Sequence, residues 1–447
     1  MRLKTVCNKA LKISSTFSKE IVYNFDGGNI TQDGGLTLIS KIDDKLKVSQ
    51  IISDAIEDKR NPEKIDHLLI NLIKQKLYQY LCGYEDDNDA DILRKDPIFK
   101  TVIDHLPESD QALASQPTFC RLENSMIRKD IYHLTEALVR LYAKRKYRNN
   151  KHPKEIIIDI DPTDDPTHGN QQFTLFHGYY GQYMYYPLIV LDGETGDIIA
   201  SLLRPGTFHA SQAADGLLKR IIKILKEYFP KTKFVIRGDC GFGVPKMYDY
   251  CENNLNNHEY VFGLTSNDRL RAITKTYEDE VKKQYELSKE PQKIFTSFFY
   301  KADSWALERK VIAKVEYNSH GLNVRYLVTN KNFDTAESLY DFYTKRGEAE
   351  NCIRDLKNDL FLDRLSCHKY LANCFRMLIS CFSYVIMQEI RLLLKGTELE
   401  RAQSNTIRLT LLKIGARIKE TVRKVWLNYS STFVYQDLYN NLMDSYG

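Results

Sequence analysis

The spacing of apolar residues predicts that residues 1–150 are mainly helical. Between residues 62 and 80 leucine and isoleucine recur every three or four positions, which is the period of one face of an α-helix. Helical stretches are also predicted over 36–44 and 116–147. We therefore expect a helical N-terminal region.

The pattern changes to short β-rich runs at Pro153. Four such runs lie between 155 and 206, separated by Gly, Asp and Asn, which is typical of a meander of strands. A helix is predicted over 211–228, and the apolar run that ends at Asp239 predicts a second buried strand. Strands followed by alternating helices and strands predict an α/β fold with a mixed sheet, whose core begins with residues 151–267.

Residues 268–333 interrupt this core with three alternating runs, which predict a β-rich insertion. The pattern then becomes helical again, with helices predicted over 335–361, 369–395 and 404–427. The second part of the core is therefore expected over 334–395. A helical C-terminal region, residues 396–447, is expected to follow it.

Composition narrows the class of protein without identifying a function. Lys and Arg number 64 and Asp and Glu number 59, so the formal net charge is +5, and a hydrophobic share of 43% is ordinary for a globular protein. So small an excess is compatible with an enzyme that acts on DNA through an acidic site. The nine cysteines lack the spacing of a zinc module, and every apolar run falls short of a membrane span. We expect a reduced, cytoplasmic protein.

Carboxylates mark the ends of two predicted strands. Side chains alternate between the two faces of a strand, so Asp159 and Asp161 point the same way, about 6–7 Å apart. Asp239 directly follows the second buried strand. Like charges at the end of an apolar strand are costly unless cations or hydrogen bonds compensate them. This pattern favours a functional site, and the alternative is that the carboxylates are merely exposed where the strands leave the sheet.

The predicted helix over 335–361 carries a third acid. Helical rotation places Tyr343, Arg346, Glu350 and Lys357 within an arc of about 60°, beside an apolar stripe. An ordinary amphipathic helix would show the same arrangement, so spacing alone leaves both interpretations open. Acids from two strand ends and a helix, in an RNase H-like order of elements, suit phosphoryl transfer with two Mg²⁺ ions.

These four residues match the Y-x2-R-x3-E-x6-K signature, and the chain thereby resembles the DDE-class insertion-sequence transposases, in the branch that cuts and pastes through DNA hairpins. The D-P-T of residues 161–163 resembles that branch's first D-x-T, and the G-D-C-G-F-G of 238–243 resembles its second Asp segment. Other stretches within residues 20–390 are similar to the insertion-sequence family thirteen-eighty.

The resemblance implies an RNase H-like catalytic core in which Asp161, Asp239 and Glu350 hold two Mg²⁺ ions, for which Mn²⁺ can substitute. Between Asp159 and Asp161 it favours Asp161 as the first ligand, because only Asp161 of the two precedes x-Thr, whereas the strand pattern leaves Asp159 open. The other signature residues are implied to contact phosphates near the transposon end: Tyr343, Arg346 and Lys357.

Further DNA contacts are expected from one tryptophan and one basic segment. Many members of the family have Trp after the signature Arg, and Gly347 removes that stacking surface here. Trp305, in the predicted insertion, is the better candidate to stack on a flipped base, the alternative being a core position. The basic helix end formed by Lys144, Arg145 and Lys146 either binds phosphates or complements the helix C-terminus.

The resemblance thus implies a bacterial DNA transposase, which we expect to be cytoplasmic and associated with the nucleoid, without a membrane partner. We expect a homodimer that binds double-stranded terminal inverted repeats, through its N-terminal region among others, cleaves the ends and joins their 3′-OH groups to target DNA. Two alternatives remain open. One is an RNase H-fold nuclease or resolvase that does not join DNA, and the other is a domesticated DNA-binding protein without catalysis.

Overall fold

The structure is a computed structural model that describes residues 9–11, 19, 21–253 and 258–445. The chain divides into two compact units. The terminal unit combines Met1–Gln50, Asp58–Arg121 and Glu389–Gly447, and the central unit combines Ile51–Glu57 with Leu122–Gln388. The predicted C-terminal region lies in the terminal unit, together with the predicted N-terminal region as far as Arg121, apart from Ile51–Glu57.

The first part of the chain is mainly helical, as its apolar spacing predicts. Its elements are β1 (Lys9–Leu11), β2 (Ile21–Tyr23), β3 (Ile30–Thr31), α1 (Leu36–Leu46), α2 (Val48–Asp54), a 3-10 helix (Pro62–Lys64), α3 (Leu69–Cys82), α4 (Asp89–Leu93), α5 (Pro97–Val102) and α6 (Gln116–Ser125). Helix α3 ends at Gly83, whose φ of 90° lies in the left-handed region that glycine adopts without strain.

The central part alternates strands and helices. Its elements are α7 (Arg128–Asn149), β4 (Glu155–Pro162), β5 (Asp165–Pro166), β6 (Leu175–His177), β7 (Gln182–Tyr185), β8 (Leu188–Asp192), β9 (Ile198–Leu202), α8 (Ala214–Tyr228), β10 (Lys233–Gly238), a 3-10 helix (Cys240–Phe242), α9 (Pro245–Glu252), β11 (Glu259–Leu264), α10 (Asp268–Ser288), β12 (Gln292–Tyr300), β13 (Arg309–Asn318), β14 (Gly321–Thr329), α11 (Ala336–Thr344), α12 (Gly347–Leu360) and α13 (Tyr370–Leu393).

An eight-stranded mixed sheet forms the core of the central unit, in the order β12-β13-β14-β11-β10-β4-β8-β9. Strands β4, β10 and β11 run parallel to one another, and the outer strands pair antiparallel. The isoleucines of β4 alternate in direction, and Ile156, Ile158 and Ile160 join a buried cluster with the apolar side of α8. On the other face, Leu339 and Tyr340 of α11 pack against β11, β13 and β14.

The predicted β-rich insertion differs from expectation in two respects. Residues 268–288 form the helix α10, whose buried positions include Leu270 and Val281. That narrow apolar side is a weak helical signal in a strongly charged sequence. The strands β12, β13 and β14 extend the main sheet, because β14 pairs antiparallel with β11.

The helix predicted over 404–427 is wrong in its second half. The chain is helical over α14 (Ser404–Ile407) and a π-helical turn (Arg408–Leu412), and then forms β15 (Ala416–Glu420) and β16 (Val425–Tyr429) before α15 (Gln436–Asp444). The strand β15 pairs with β3 from the beginning of the chain. Its basic residues alternate with buried Ala416 and Ile418, a period of two, and its partner strand is nearly four hundred residues away in sequence.

Helix α13 is long and apolar enough to cross a membrane by length and composition, but 89% of its apolar window is buried inside the structure. It is therefore a core helix, although its apolar window is longer than the broken apolar runs of the sequence predict.

Candidate active site

Two of the predicted acids lie side by side at the carboxyl ends of two central strands of the main sheet. Strands β4 and β10 are parallel, and their register pairs Ile160 with Gly238. Asp161 is the next residue along β4 and Asp239 is the next residue after β10. The Asp239 carboxylate is oriented by the turn that follows it, since its Oδ1 accepts a hydrogen bond from the Gly241 N–H at 2.8 Å.

Asp159, the alternative first acid, is committed to a different partner. Both of its carboxylate oxygens accept hydrogen bonds from the Arg237 guanidinium, each at 2.7 Å, and both side chains are buried. Arg237 also donates through Nη1 to the carbonyl of Phe342 at 2.6 Å. Asp159 is therefore part of a buried ion pair between β4 and β10. Asp161 lies two residues further on, towards the carboxyl end of β4.

The signature residues are carried by two helices rather than by the single predicted helix over 335–361. Helix α11 ends at Thr344 and α12 begins at Gly347, so Arg346 occupies the N-cap position of α12. Its guanidinium lies between two acids, with Nη1 3.1 Å from Asp161 Oδ2 and Nη2 3.7 Å from Glu350 Oε1. The turn between the helices thus places one cation between an acid of β4 and an acid of α12.

The charges around Asp161 shift its pKa. The net effect raises the pKa of Asp161 to about 7, and burial is the largest cause. The Arg346 guanidinium lowers this pKa, whereas the carboxylates of Asp239 and Glu350 raise it. A carboxyl group surrounded by like charges in this way is typical of a functional site.

The donor set is suited to a hard divalent cation, which prefers oxygen ligands such as these carboxylates. Within residues 9–11, 19, 21–253 and 258–445, however, no group of three or more His, Cys, Asp and Glu side chains converges on one point as a preformed metal site. Arg346 supplies the positive charge between Asp161 and Glu350 instead. The acids fit a divalent cation by their chemistry, and the Arg346 guanidinium occupies the space between two of them.

Lys357, the last signature residue, lines a cavity together with Asp161 and Glu350, and this cavity is hereafter called the cleft. Its Nζ donates to the carbonyl of Asp164 at 2.8 Å and to Asp164 Oδ1 at 3.1 Å. The cleft has a volume of about 410 Å³ and lies next to this contact. Its lining residues include both an acid of β4 and the acid of α12: Asp161, Pro162, Thr163, Glu350, Ile353, Arg354, Lys357 and Asn358.

Tyr343, on the last turn of α11, is half-buried and packs at the edge of the apolar cluster beneath that helix. The Arg346 guanidinium lies over its ring, 5.9 Å from the centroid. Tyr343, Arg346 and Glu350 are therefore connected by direct contacts, and Lys357 lines the same cavity as Glu350.

The phosphate contacts expected for Arg145 and Lys146 are wrong, because both side chains are buried and form ion pairs inside the fold. Arg145 is buried and pairs with Asp197 at 2.8 Å. Lys146 is buried and pairs with Asp192 at 2.8 Å and Glu194 at 3.3 Å. A buried cation requires such partners, which a basic run in a sequence does not reveal. Lys144 is the exposed member of the three.

The base-stacking role of Trp305 is contradicted by its burial. The side chain is only 5% exposed, and its ring packs against Tyr248 and Tyr300 at centroid distances of 5.1 and 5.4 Å. The Arg309 guanidinium covers it as well. Trp305 is a core residue, which was the alternative interpretation.

Sequence reasoning missed the two residues that hold the signature in place, Arg237 and Asp164. Arg237 sits two residues before Asp239 in an otherwise apolar strand, and a cation in a buried strand is a readable signal for an internal ion pair. Asp164 has no comparable signal, because its role depends on the distant Lys357.

Comparison with known proteins identifies a family for the chain. A family model described as "Transposase DDE domain group 1" matches residues 13–446. None of the curated proteins compared with the chain matches it. Among solved structures, the chain is similar to the piggyBac transposase in a synaptic complex with hairpin DNA, with 12% identity, a TM-score of 0.38, and coverage of 86% of this chain and 80% of that one.

Proposed function

The chain belongs to the transposase DDE domain group 1 family, and from this premise we propose that it is a metal-dependent DNA transposase. In this proposal it binds the terminal inverted repeats of a mobile element, cleaves the DNA at their ends, and joins the 3′-OH ends to target DNA. The observation that carries the proposal is that Asp161 and Asp239 follow the same register position at the carboxyl ends of two parallel strands, while Arg346 lies between Asp161 and Glu350 of α12.

We infer that the catalytic core is RNase H-like. The strands β9, β8, β4, β10 and β11 support this inference, since an antiparallel meander leads into two further strands parallel to β4. The acids then lie beyond the carboxyl ends of β4 and β10, where parallel sheets commonly hold their functional groups. The strands of residues 292–329 extend this core on the side of β11.

Asp161, Asp239 and Glu350 are proposed to hold two Mg²⁺ ions, or Mn²⁺ in their place. Bound there, the ions supply Lewis-acid chemistry, activating a water or 3′-OH nucleophile and stabilising the leaving oxygen. Arg346 leaves its position between Asp161 and Glu350 and binds a DNA phosphate, for which a planar guanidinium is well suited. Lys357 and the Tyr343 hydroxyl contact the same strand from either side of Glu350.

The expected partners follow from this chemistry. Joining two ends of one element to one target requires both ends to be held together, so we propose a homodimer on double-stranded DNA. The protein would then work in the cytoplasm, on the nucleoid. Exposed Lys144, unlike its two buried neighbours, remains a candidate for contact with the DNA backbone.

A strand-transfer assay tests the proposal. The substrate is linear DNA ending in the inverted repeats that flank the gene, mixed with supercoiled target plasmid and Mg²⁺. A transposase joins the labelled 3′ end to the plasmid, whereas a nuclease or resolvase cuts without joining and a non-catalytic DNA-binding protein does neither. The same gel distinguishes a hairpin intermediate, because a hairpin end stays covalently closed under denaturing conditions. Absence of any joined product with intact inverted repeats would overturn the proposal.

A further inference from the structure

A hairpin beside Asp161 exposes an unusual number of aromatic rings. The strands β6 and β7 pair antiparallel and are joined by a Gly-Tyr-Tyr-Gly loop, residues 178–181. Tyr179 at the tip is 87% exposed, and Tyr183 on β7 is 60% exposed. Phe173 and Phe176 are also more than half exposed. Exposed apolar surface concentrated in this way marks an interaction site rather than ordinary surface.

The hairpin is fixed at its base, so that the exposed rings are presented by a defined support. Tyr180 contacts the rings of His177 and Tyr186 at centroid distances of 5.0 and 6.0 Å. Across the strands, Phe176 and Tyr183 form an edge-to-face pair at 5.6 Å. Aromatic side chains lose little conformational freedom on binding, and those held by neighbours lose less.

The hairpin connects directly to the proposed catalytic cleft. The Thr167 N–H donates to the Tyr183 carbonyl at 3.0 Å, and β5 pairs with β7. The residues between β4 and β5 include Asp164, which accepts hydrogen bonds from Lys357. The segment that begins at Asp161 therefore leads within a few residues to the base of the hairpin.

The chemistry of the hairpin favours one kind of partner. Residues 171–186 contain no Asp, Glu, Lys or Arg, so the hairpin offers ring faces and hydroxyl groups but no permanently charged contact for a phosphate. Cations for the backbone stand close by, at Arg346 and Lys357. A neutral aromatic surface next to a cationic cleft matches a nucleic acid strand, whose bases stack while its phosphates pair with the cations.

We propose that the aromatic hairpin, residues 173–186, binds unpaired nucleobases at the cleaved DNA end, with Tyr179 and Tyr183 as the stacking residues. This inference rests on the proposed function, because it requires a DNA end in the neighbouring cleft. The hairpin holds the frayed bases while the acids act on the adjoining phosphate. It assigns to Tyr179 the role that burial denies to Trp305.

The test compares binding of a blunt duplex with binding of the same duplex carrying a thymine overhang, by fluorescence anisotropy in Mg²⁺-free buffer. Wild-type protein should prefer the overhang. The double variant Tyr179→Ala, Tyr183→Ala should bind the overhang about 5- to 100-fold more weakly, the range expected for lost stacking, and should bind the blunt duplex as wild type does. Tyr179→Phe keeps the ring and should keep the preference. Phe299→Ala is the control, since Phe299 is an exposed aromatic residue on β12, at the far edge of the sheet.

A 2-aminopurine base in the overhang gives a second readout that does not depend on affinity. Its fluorescence should be quenched at saturation by wild-type protein and recover in the double variant, whose thermal midpoint is checked to confirm folding. An unchanged preference and unchanged quenching in the double variant overturn the inference. So does a change of oligomeric state alone, which would make the hairpin a contact between two copies of the chain. If wild type binds and joins DNA while the variants behave alike, only the hairpin inference fails; if wild type binds neither duplex, the proposed function fails with it.

Discussion

Arg237 and Asp159 form a bidentate ion pair in the core of the central unit, with both N···O distances at 2.7 Å. The pair joins β4 to β10 two residues before Asp161 and Asp239, which lie at the carboxyl ends of the two strands. Through Nη1 the same guanidinium holds the carbonyl of Phe342, which precedes Tyr343. The buried Arg237 guanidinium on β10 therefore connects that strand to β4 and to the end of α11, the helix that carries Tyr343.

The first prediction concerns the stability of this pair. Asp159→Asn leaves the buried Arg237 charge without a matching anion, and should lower the free energy of unfolding by about 3 kcal/mol. Asp161→Asn should leave stability at about pH 8 equal to or above that of wild type, because burial already disfavours the ionised Asp161 carboxylate. Urea unfolding of the two variants in parallel decides between these roles.

The same two variants should separate in activity. Asp161→Asn is expected to abolish DNA cleavage with both Mg²⁺ and Mn²⁺, because it removes a ligand. Asp159→Asn is expected to retain some cleavage, at least with Mn²⁺, as long as the protein is folded. A stable, inactive Asp159→Asn beside an active Asp161→Asn would exchange the roles of the two residues.

A second prediction follows from the position of Arg346. The pKa of Asp161 is raised to about 7, chiefly by burial, even though the Arg346 guanidinium lowers it. Metal binding needs the ionised carboxylate, so the affinity for Mn²⁺ should fall as the pH drops below about 7, and Arg346→Gln should move that midpoint upward. Isothermal titration over a pH series measures it. Lys345→Gln removes a neighbouring exposed charge and should leave the midpoint in place; a midpoint that falls in Arg346→Gln would refute the assignment.

The third prediction distinguishes buried from exposed cations at the end of α7. Lys146→Ala leaves the buried Asp192 without its cation and should lower the thermal midpoint, with little change in the salt dependence of DNA binding. Lys144→Ala should preserve stability and, if Lys144 contacts phosphate, reduce the salt slope by about 0.9. Binding isotherms at several salt concentrations measure both slopes. A reduced slope in a stable Lys146→Ala variant would restore the original interpretation.

Much of the fold could be predicted because its signals are local. Buried isoleucines that alternate with acids identify β4, and the spacing of leucines identifies α3. The pairing of β15 with β3 could not be predicted, since register between distant strands depends on contacts rather than local pattern. The same limit explains the site: the acids and the signature are visible in the sequence, but the partners of Arg145, Lys146 and Lys357 come from other elements.

The fourth prediction tests a buried histidine outside the site. Burial lowers the pKa of His258 to about 4, so the folded state disfavours the charged ring that the unfolded chain accepts below about pH 6.5. Above about pH 6.5 His258 is neutral in both states and does not lower the free energy of unfolding. As the pH falls from about 6.5 towards about 4, protonation of the unfolded chain lowers the free energy of unfolding by up to about 3 kcal/mol. His258→Phe should therefore become more stable relative to wild type on acidification. A stability difference between the two proteins that stays constant from about pH 7 to about pH 4 would contradict the burial argument.

The central claim, that Asp161, Asp239 and Glu350 act together on DNA, is tested most directly by cleavage of inverted-repeat DNA with Glu350→Gln and Glu348→Gln measured side by side. Both residues are exposed acids in the first turn of α12, but only Glu350 approaches Arg346 and lines the cleft. Gel-shift affinity is determined on the same preparations. The account predicts that Glu350→Gln loses at least about a hundredfold in cleavage rate while keeping end binding, and that Glu348→Gln cleaves like wild type. Cleavage by Glu350→Gln within about tenfold of wild type, or equal losses in both variants, would contradict it.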